Sequence, residues 1–426
     1  MGPIYYDLSE LFLSSGIKFK YYGIARTVME VGYEMSRASA DVRFVVFSPA
    51  HDQFFEVKPR FGPESVTGIC DPNLPTEARP LRLRYSFAEP HKLRDTLYPT
   101  VRALVQRINL RRWKRAVPED SLRKVNLTDK VLVSLGRPKM MADYLVAMQR
   151  QGVQMRFYPL MHDMIPLYEF SHLRQSTFGR NFAHDNRIVI HHAEKLLTNS
   201  VFTKNEIEKF AASGHLPAPP PIIPVALSHE LRETNEPVRI EPPVATYLLG
   251  VGLMTGRKNL ECLIQALLTL HNDNRPVPLL LLAGASRKRT VTYLAKDEFE
   301  PIRRKIRFVL NPNQAELRLL YQNATALVIP SRMEGFGLPL GESLWMGTPA
   351  LAANVPALRE VGGDLAKYFE PDDPAALASL IDQLHTNSEA LTALKNKIAH
   401  NRASLRTWKD VAEDIIEATS HAPALT

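Results

Sequence analysis

The sequence predicts an α/β protein with two domains and mostly parallel sheets, and three observations support this prediction. Almost uninterrupted apolar runs, such as VRFVVFS (42–48) and VLVSLG (131–136), are typical of strands covered on both faces. These runs alternate with segments of helical periodicity. The alternation stops at residues 217–243, which contain eight prolines, and restarts at YLLGVG (247–252). Two successive domains of this kind are expected to face each other across a ligand crevice.

The length and composition further restrict the number of domains and the class of partner. A chain of 426 residues is too long for one ordinary core. We therefore expect one domain over residues 1–233 and a second over 234–406, with residues 407–426 forming a C-terminal helix that crosses back to the first. The net charge of +8 favours a polyanionic partner such as a nucleotide, an anionic membrane surface or nucleic acid. Cys70 and Cys262 form no disulfide framework or metal motif, which suits a reducing compartment.

The first domain begins with a strand at IYYDLSEL and a helix near Gly23, followed by the strands at 42–48 and 131–136. A further strand is expected to end at His162 and Asp163, and Ser200 is expected to cap the helix FTKNEIEKFA. The N-terminal residues lack the pattern of a signal peptide, and no stretch reaches the length of a membrane span. We expect a cytoplasmic protein that is soluble or peripheral on the inner face of the membrane.

Residues 91–124 interrupt the alternation with ten Lys or Arg and three Asp or Glu. Their apolar residues are predicted to line one side of a helix, with Trp113 beyond them: Leu97, Val101, Leu104, Val105 and Ile108. One interpretation is an element that binds an anionic membrane surface. The other is a solvated helical insertion whose arginines face water. Few aromatic residues interleave with the charges, so nucleic acid is not expected as a partner.

A cluster of metal-like residues precedes the linker: His184, Asp185, His191 and His192. Adjacent histidines on a strand point to opposite faces, and zinc sites use more regular spacings. No metal site is expected here.

The second domain restarts with YLLGVG and continues with a helix at NLECLIQALLTLH, strands at PLLLLAG and IRFVL, and a helix at QAELRLLYQNA. The apolar run ALVIP then leads into SRMEGFGLPLGESLWMG (331–347), which reads as strand, glycine-rich loop and helix. Such a turn offers unpaired N–H groups to a phosphate or sugar oxygen. The alternative is a plain sheet-to-helix turn, with Glu342 in the first helical turn only to complement the helix dipole.

A second glycine-punctuated segment, GVGLMTGRKNL (250–260), places Arg257 and Lys258 at the start of the next helix. A guanidinium and an ammonium at a helix N-terminus suit a diphosphate. The alternative is a basic helix start, which is unfavourable to the dipole without an anion. The loop is not a Walker loop because it lacks the GK[ST] ending.

Together these two segments resemble the retaining glycosyltransferases of the family-four type, which have the two-Rossmann architecture called GT-B. The resemblance extends over nearly the whole chain, through YYGIAR, MHDMIPLY and LLTNSVFTKNEI. MHDMIPLY and GIAR are most similar to the mannosyl- and rhamnosyltransferases of bacterial surface-polysaccharide assembly.

The resemblance implies roles for individual residues. Arg257 and Lys258 would hold the donor's diphosphate, and Glu342 would bind the ribose hydroxyls. Glu334 would lie beside the donor sugar. The neighbouring loop would supply further donor contacts, from Gly335, Phe336, Gly337 and Leu338. The catalytic residues would be Glu334, His162, Arg257 and Lys258.

On the acceptor side, the resemblance implicates Gly23, Arg26 and Asp163. The role of Gly16 is in doubt because its spacing from Arg26 is longer than a compact phosphate loop.

The expected function is hexose transfer, with retention, from GDP-mannose to a glycan or lipid-linked glycan. The alternative is rhamnosyl or glucosyl transfer, with a TDP- or UDP-sugar as the donor. A non-catalytic basic protein that binds nucleotide or nucleic acid, a glycosidase using Glu334 and Glu342, and a GT-B epimerase or phosphorylase are alternatives of other classes. The chain has no Asp-x-Asp triplet, so no cofactor and no metal are expected besides the nucleotide-sugar substrate.

Overall fold

The computed structural model describes residues 2–13, 23–119, 121–168, 177–241, 246–284 and 288–420. Contacts divide the chain into two compact units. The first unit is Met1–Ala226 with Trp408–Thr426, and the second is Leu227–Thr407. The division falls after residue 226, whereas we expected it after residue 233.

The first unit contains an eight-stranded sheet and a two-stranded ribbon. Its strands are β1 Ile4–Asp7, β2 Val42–Ser48, β3 Gln53–Val57, β4 Arg60–Phe61, β5 Cys70–Asp71, β6 Arg123–Val125, β7 Val131–Ser134, β8 Arg156–Met161, β9 Leu196–Thr198 and β10 Ile222–Pro224. The sheet order is β10-β9-β8-β7-β1-β2-β3-β6. Pairing is parallel from β10 to β2, and β3 is antiparallel to both β2 and β6. The strand order reverses between β1 and β7, which makes this pair the switch point of the sheet.

Helices of the first unit follow its strands: α1 Ser9–Leu13, α2 Ile24–Met35, α3 Lys92–Ala116, α4 Pro138–Arg150, α5 Thr177–His192 and α6 Val201–Ala212. The Ser200 hydroxyl accepts a hydrogen bond from the Thr203 N–H at 3.0 Å, so the predicted cap of α6 is present. The histidines 191 and 192 end helix α5, so their expected position on a strand is wrong.

The second unit has a six-stranded sheet whose neighbouring strands are all parallel. Its strands are β11 Tyr247–Val251, β12 Leu279–Gly284, β13 Ile306–Leu310, β14 Ala326–Ile329, β15 Ala350–Ala353 and β16 Lys367–Phe369. Their order is β13-β12-β11-β14-β15-β16, the doubly wound order of dinucleotide-binding folds. The switch point lies between β11 and β14, the two strands that precede the motif loops.

Helices of the second unit are α7 Leu260–Asn272, α8 Lys288–Leu294, α9 Glu300–Arg303, α10 Gln314–Asn323, α11 Leu338–Trp345, α12 Pro356–Gly362, α13 Pro374–Thr386 and α14 Ser388–His400. Asp373 caps α13 by accepting from the Ala376 N–H at 2.9 Å. The predicted fold class, α/β with parallel-rich sheets in two units, is confirmed.

The last described helix, α15 (Trp408–Ser420), returns to the first unit and packs against α2. Trp408 is completely buried, and the Lys195 ammonium donates to the Ala418 carbonyl at 3.0 Å. Over the described residues, no helix is both long and apolar enough to cross a bilayer.

Candidate functional site

The two glycine-rich loops meet at the switch point of the second unit. The loop after β11 carries Arg257 and Lys258, and the loop after β14 carries Arg332 and Glu334. The Arg332 N–H donates to the Arg257 carbonyl at 2.9 Å, which ties the two backbones together. This is the edge at which doubly wound sheets bind nucleotides.

Glu334 lies at the centre of an ion triad. Lys258 Nζ is 2.6 Å from Glu334 Oε1, and Arg257 Nη1 is 3.0 Å from Glu334 Oε2. Arg257 Nη1 also donates to the Met333 carbonyl at 2.5 Å. The Glu334 side chain is 10% exposed, whereas those of Arg257 and Lys258 are 28% and 20% exposed. The carboxylate is therefore enclosed, and both cations keep a surface open to solvent.

The charge state of Glu334 follows from this geometry. Burial raises the pKa of its carboxyl, but the attraction of Lys258 and Arg257 outweighs burial and lowers that pKa to about 2. Glu334 is therefore ionised at neutral pH and fixes both cations in place. An ammonium has three donors and a guanidinium five, so donors remain for an anionic ligand.

The turn from β14 into α11 requires glycine at position 337. Gly337 is the N-cap of α11 with a φ of 112°, and a Cβ there would lie 2.5 Å from Leu358 Cδ2. Gly335 and Phe336 are buried beside it, and Leu338 opens the helix. The first-turn N–H groups of α11 lie at the same sheet edge as the ion triad, and they carry the positive end of the helix dipole.

Glu342 lies one turn further into α11 than we expected. The helix begins at Leu338 and has no acidic residue in its first turn, so the interpretation of Glu342 as a dipole-complementing residue is wrong. Its side chain is buried, and its Oε2 accepts a hydrogen bond from the Tyr321 hydroxyl at 2.9 Å. A buried carboxylate held by a neutral donor keeps acceptor capacity for hydroxyl groups of a ligand.

Arg332 and Asp372 are residues of this site that sequence reasoning missed. Arg332 Nε donates to Asp372 Oδ2 at 3.0 Å, and Arg332 Nη1 donates to the Gly256 carbonyl at 2.5 Å. One guanidinium thus links the loops after β11, β14 and β16. Asp373, the next residue, provides the side-chain cap of α13.

Among the residues of the first unit, His162 follows β8. Its Nε2 lies 2.7 Å from the Leu135 carbonyl, and a carbonyl only accepts, so Nε2 carries the proton. Burial lowers the pKa of His162, which leaves the ring neutral at pH 7. Asp163 Oδ1 accepts from the Ile165 N–H at 3.0 Å and so shapes the same loop.

The other first-unit candidates lie on α2. Gly23 is the N-cap of α2 with a φ of 71°, a conformation that favours glycine. The Arg26 side chain is 2% exposed and lies 3.8 Å from Glu30 one turn later. The structure therefore places Arg26 inside the first unit. Gly16 lies outside the described residues.

The histidine-rich segment shows partners of other kinds. Asp185 forms an ion pair with Arg84, and the His192 Nδ1 donates to the Ile188 carbonyl at 2.8 Å. No group of three or more His, Cys, Asp or Glu side chains within the described ranges could hold a metal ion.

Comparisons with known proteins agree with this geometry. Residues 232–401 match the family described as glycosyl transferases group 1. O-antigen chain mannosyltransferase B of Escherichia coli is 27% identical over 242 residues, which cover 53% of this chain and 60% of that protein. This chain thus matches less than two thirds of that relative's length.

Solved structures show the same fold. Sucrose-phosphate synthase from Thermosynechococcus elongatus aligns over 98% of both chains, with a TM-score of 0.62 and 17% identity. WaaG, a glycosyltransferase involved in lipopolysaccharide biosynthesis, aligns over 98% of this chain and 100% of its own, with a TM-score of 0.61 and 15% identity. At such identities the likeness shows the fold alone, and the expected two-Rossmann class is confirmed.

Proposed function

We propose, from the premise that residues 232–401 belong to the glycosyl transferases group 1, that the protein transfers a hexose from a nucleotide-sugar donor to a glycan or lipid-linked glycan. The observation that carries the proposal is the triad of Arg257, Lys258 and Glu334 at the switch point of a doubly wound sheet. Two cations held there by one enclosed carboxylate suit a diphosphate. A glycosidase, by contrast, needs two carboxylates and no diphosphate site.

Each residue has a chemical role in this proposal. Breaking the sugar–phosphate bond collects negative charge on the leaving diphosphate, and Arg257, Lys258 and the start of α11 stabilise that charge. Glu342, oriented by Tyr321, accepts hydrogen bonds from the ribose hydroxyls. Glu334, with the backbone of Gly335 to Leu338, contacts the donor sugar. His162 is a further catalytic residue, with Gly23, Arg26 and Asp163 on the acceptor side.

The fixed cations can replace a metal ion, so we propose transfer that is independent of metal and needs no cofactor. Same-face attack by the acceptor would retain the anomeric configuration. Turnover that survives a chelator and a product of unchanged anomeric configuration by NMR are the expected results. A strict manganese requirement or an inverted product contradicts this mechanism.

For the donor we propose GDP-mannose, and for the process surface-polysaccharide synthesis. The support is the likeness to a protein named as an O-antigen chain mannosyltransferase, together with the MHDMIPLY segment. A TDP- or UDP-sugar is the alternative donor.

A thermal-shift panel of nucleotide sugars tests the donor. GDP-mannose at 100 times its dissociation constant is expected to stabilise the protein by about 2.7 kcal/mol. Lys258→Met should abolish the shift, whereas Lys395→Met, which changes an exposed lysine on α14, should preserve it. If UDP-glucose is the only nucleotide sugar that gives a thermal shift, the alternative donor is favoured. No shift with any nucleotide sugar overturns it.

The membrane proposal rests on the exposed face of α3. Four apolar side chains recur there at helical spacing: Leu93, Leu97, Val101 and Leu104, which are 66%, 52%, 43% and 58% exposed. Four basic residues follow towards the C-terminal end of the helix: Arg111, Arg112, Lys114 and Arg115. Val105 and Ile108, which we expected on the same side, are only partly exposed. An exposed apolar stripe beside positive charge suits an anionic lipid surface.

Flotation with phosphatidylglycerol vesicles tests this proposal. The wild type is expected to float, and Leu97→Ser with Leu104→Ser should weaken flotation. Val66→Ser, at an apolar side chain that is 83% exposed elsewhere in the first unit, is the control. Equal flotation of the stripe variant and the control favours the solvated-insertion interpretation.

A further inference from the structure

Four basic side chains converge near the switch point of the first unit, apart from the candidate site residues described above. Arg137 and Lys139 lie at the start of α4, directly after β7. Arg82 and Arg84 lie on the segment 81–86, which precedes α3 in the chain and hydrogen-bonds to both α3 and α4. We call these four residues the basic cluster.

The segment 81–86 is held at two points. The Leu81 N–H donates to Asn109 Oδ1 on α3 at 2.7 Å, and the Tyr85 N–H donates to Asp143 Oδ1 on α4 at 2.8 Å. Leu81, Leu83 and Tyr85 line a small cavity against α3. The alternate residues face the other way, since Arg84 pairs with Asp185 on α5. Arg82 lies close enough to Asp143 and Arg137 for charge interactions with both.

The cluster lies at the edge of the sheet where a ligand is expected. Arg137 follows β7 and donates from Nε to Glu10 Oε1 at 2.8 Å, and Glu10 follows β1. β1 and β7 are the pair at which the strand order of the first unit reverses. The carboxyl ends of such a pair form the usual ligand site of a doubly wound sheet.

Charge compensation within the cluster is incomplete. Arg84 and Arg137 have carboxylate partners, Asp185 and Glu10. Arg82 and Lys139, by contrast, form no salt bridge with any residue that the structure describes. Lys139 is also the second residue of α4, where the helix dipole disfavours a cation unless an anion is nearby.

Electrostatics within the cluster agree with this geometry. Partial burial and the nearby charges of Arg82 and Arg84 lower the pKa of the Lys139 ammonium. Burial, together with Arg137, lowers the pKa of Arg82. Burial raises the pKa of Asp143 and of Asp185 to about 6, so these two neighbouring carboxyls become protonated once the pH falls below 6. A bound anion would relieve the like-charge crowding.

We propose that Arg82 and Lys139, flanked by Arg84 and Arg137, bind a phosphate group carried by the acceptor. The guanidinium offers a fork of donors and the ammonium a point charge, and together they match the oxygens of a phosphate. The word "acceptor" rests on the proposed function, whereas the anion site itself does not.

Calorimetric titration with inorganic pyrophosphate tests the site. The wild type is expected to bind at two places, the basic cluster and the cations Arg257 and Lys258. Lys139→Gln should weaken one of them about tenfold or more, as expected when a charge-assisted hydrogen bond is lost, and Arg82→Gln with Lys139→Gln should weaken it further. Lys258→Gln should weaken only the other. Lys124→Gln, at an exposed lysine on β6, is the control with the same charge change.

The outcomes separate the two proposals. The double variant Arg82→Gln with Lys139→Gln should still bind GDP-mannose. If only Lys258→Gln loses GDP-mannose binding, that loss concerns the donor site and not the basic cluster. A single pyrophosphate site that disappears in Lys258→Gln overturns the basic cluster as an anion site. Identical titrations of Lys139→Gln and Lys124→Gln overturn it as well. Although its ammonium is partly buried, the Lys139 side chain reaches solvent, so its substitution tests the site without disturbing a core.

Competition identifies the source of the phosphate. Displacement of pyrophosphate from the Lys258→Gln variant by mannose 1-phosphate indicates a soluble phosphorylated acceptor. Displacement by vesicles that contain a polyprenyl phosphate, but not by vesicles of phosphatidylcholine, indicates a lipid-linked one. Displacement by neither overturns the assignment of the site to the acceptor.

Discussion

At the scale of single residues, Glu334 is the group on which the proposed donor site depends. Its carboxylate fixes Arg257 and Lys258 before any ligand is bound. The two cations repel each other when held this close, and the ionised glutamate offsets that repulsion. Nucleotide binding then needs little movement of either cation. The same arrangement makes the second unit sensitive to acid.

Glu334→Gln should destabilise the second unit by roughly 1 to 3 kcal/mol at pH 7, because both partly exposed cations lose their partner. The pKa of Glu334 is about 2 in the folded protein against an ordinary 4.5, so its contribution is fully present above pH 4.5 and is lost as the pH falls towards 2. Urea unfolding of both proteins between pH 7 and pH 3 measures this. A stability difference that stays constant over this range contradicts the assignment.

Tyr321→Phe removes the hydroxyl that donates to Glu342 Oε2 at 2.9 Å. We expect about tenfold weaker GDP binding, since the buried carboxylate loses its orientation. Tyr247→Phe is a matched control: Tyr247 is equally buried, in the same unit, and its hydroxyl donates to the Leu320 carbonyl at 2.8 Å. Both variants should lose stability, and only Tyr321→Phe should lose affinity in calorimetry. Equal affinity in the two variants would remove Tyr321 from the site.

At the scale of elements, Arg332 joins three loops at one edge of the sheet. Arg332→Met and Asp372→Asn should each raise the dissociation constant for GDP-mannose, because the segment that carries Arg257 is no longer held. A double-mutant cycle should give a coupling of about 1 kcal/mol or less, since both side chains are partly exposed. The pair Arg275 and Asp273 is similarly exposed in the same unit, and its removal should leave donor binding unchanged. Additive effects of the two site variants contradict the coupling.

These elements also show what the sequence can and cannot predict. The apolar runs at β2, β7, β11 and β14 predicted buried strands correctly. That the two motif loops meet on one side of the sheet is a finding of the structure, and it follows because carboxyl ends of parallel strands share an edge. The partners Tyr321 and Asp372 were missed because their positions depend on how α10 and the loop after β16 pack, which no spacing in the sequence encodes. The C-terminal part of helix α5 was expected to be a strand, because its run IVI is apolar and β-branched. Its helical pattern is visible only when the preceding residues are included.

At the scale of the whole molecule, the chain leaves the first unit at residue 226 and returns to it at Trp408. The buried indole of Trp408 and the bond from Lys195 to Ala418 make α15 part of the first unit's core, although 181 intervening residues belong to the other unit. The first unit is thus completed by a helix that follows the whole second unit in the chain. Its stability should depend on residues that are remote in sequence from every other part of it.

Trp408→Ala tests this dependence. Replacing a fully buried tryptophan by alanine should cost the first unit about 3 to 5 kcal/mol, because the cavity cannot be filled by neighbouring side chains. The second unit has its own sheet and the proposed donor residues, so GDP-mannose should still protect it against heat in the variant. Hydrogen exchange resolved by peptide distinguishes the two units. Protection of β1 and β7 in the first unit should fall, and protection of β11 and β14 in the second should stay. Equal loss of protection in both sheets would show that the units unfold together and that α15 stabilises the chain as a single cooperative body.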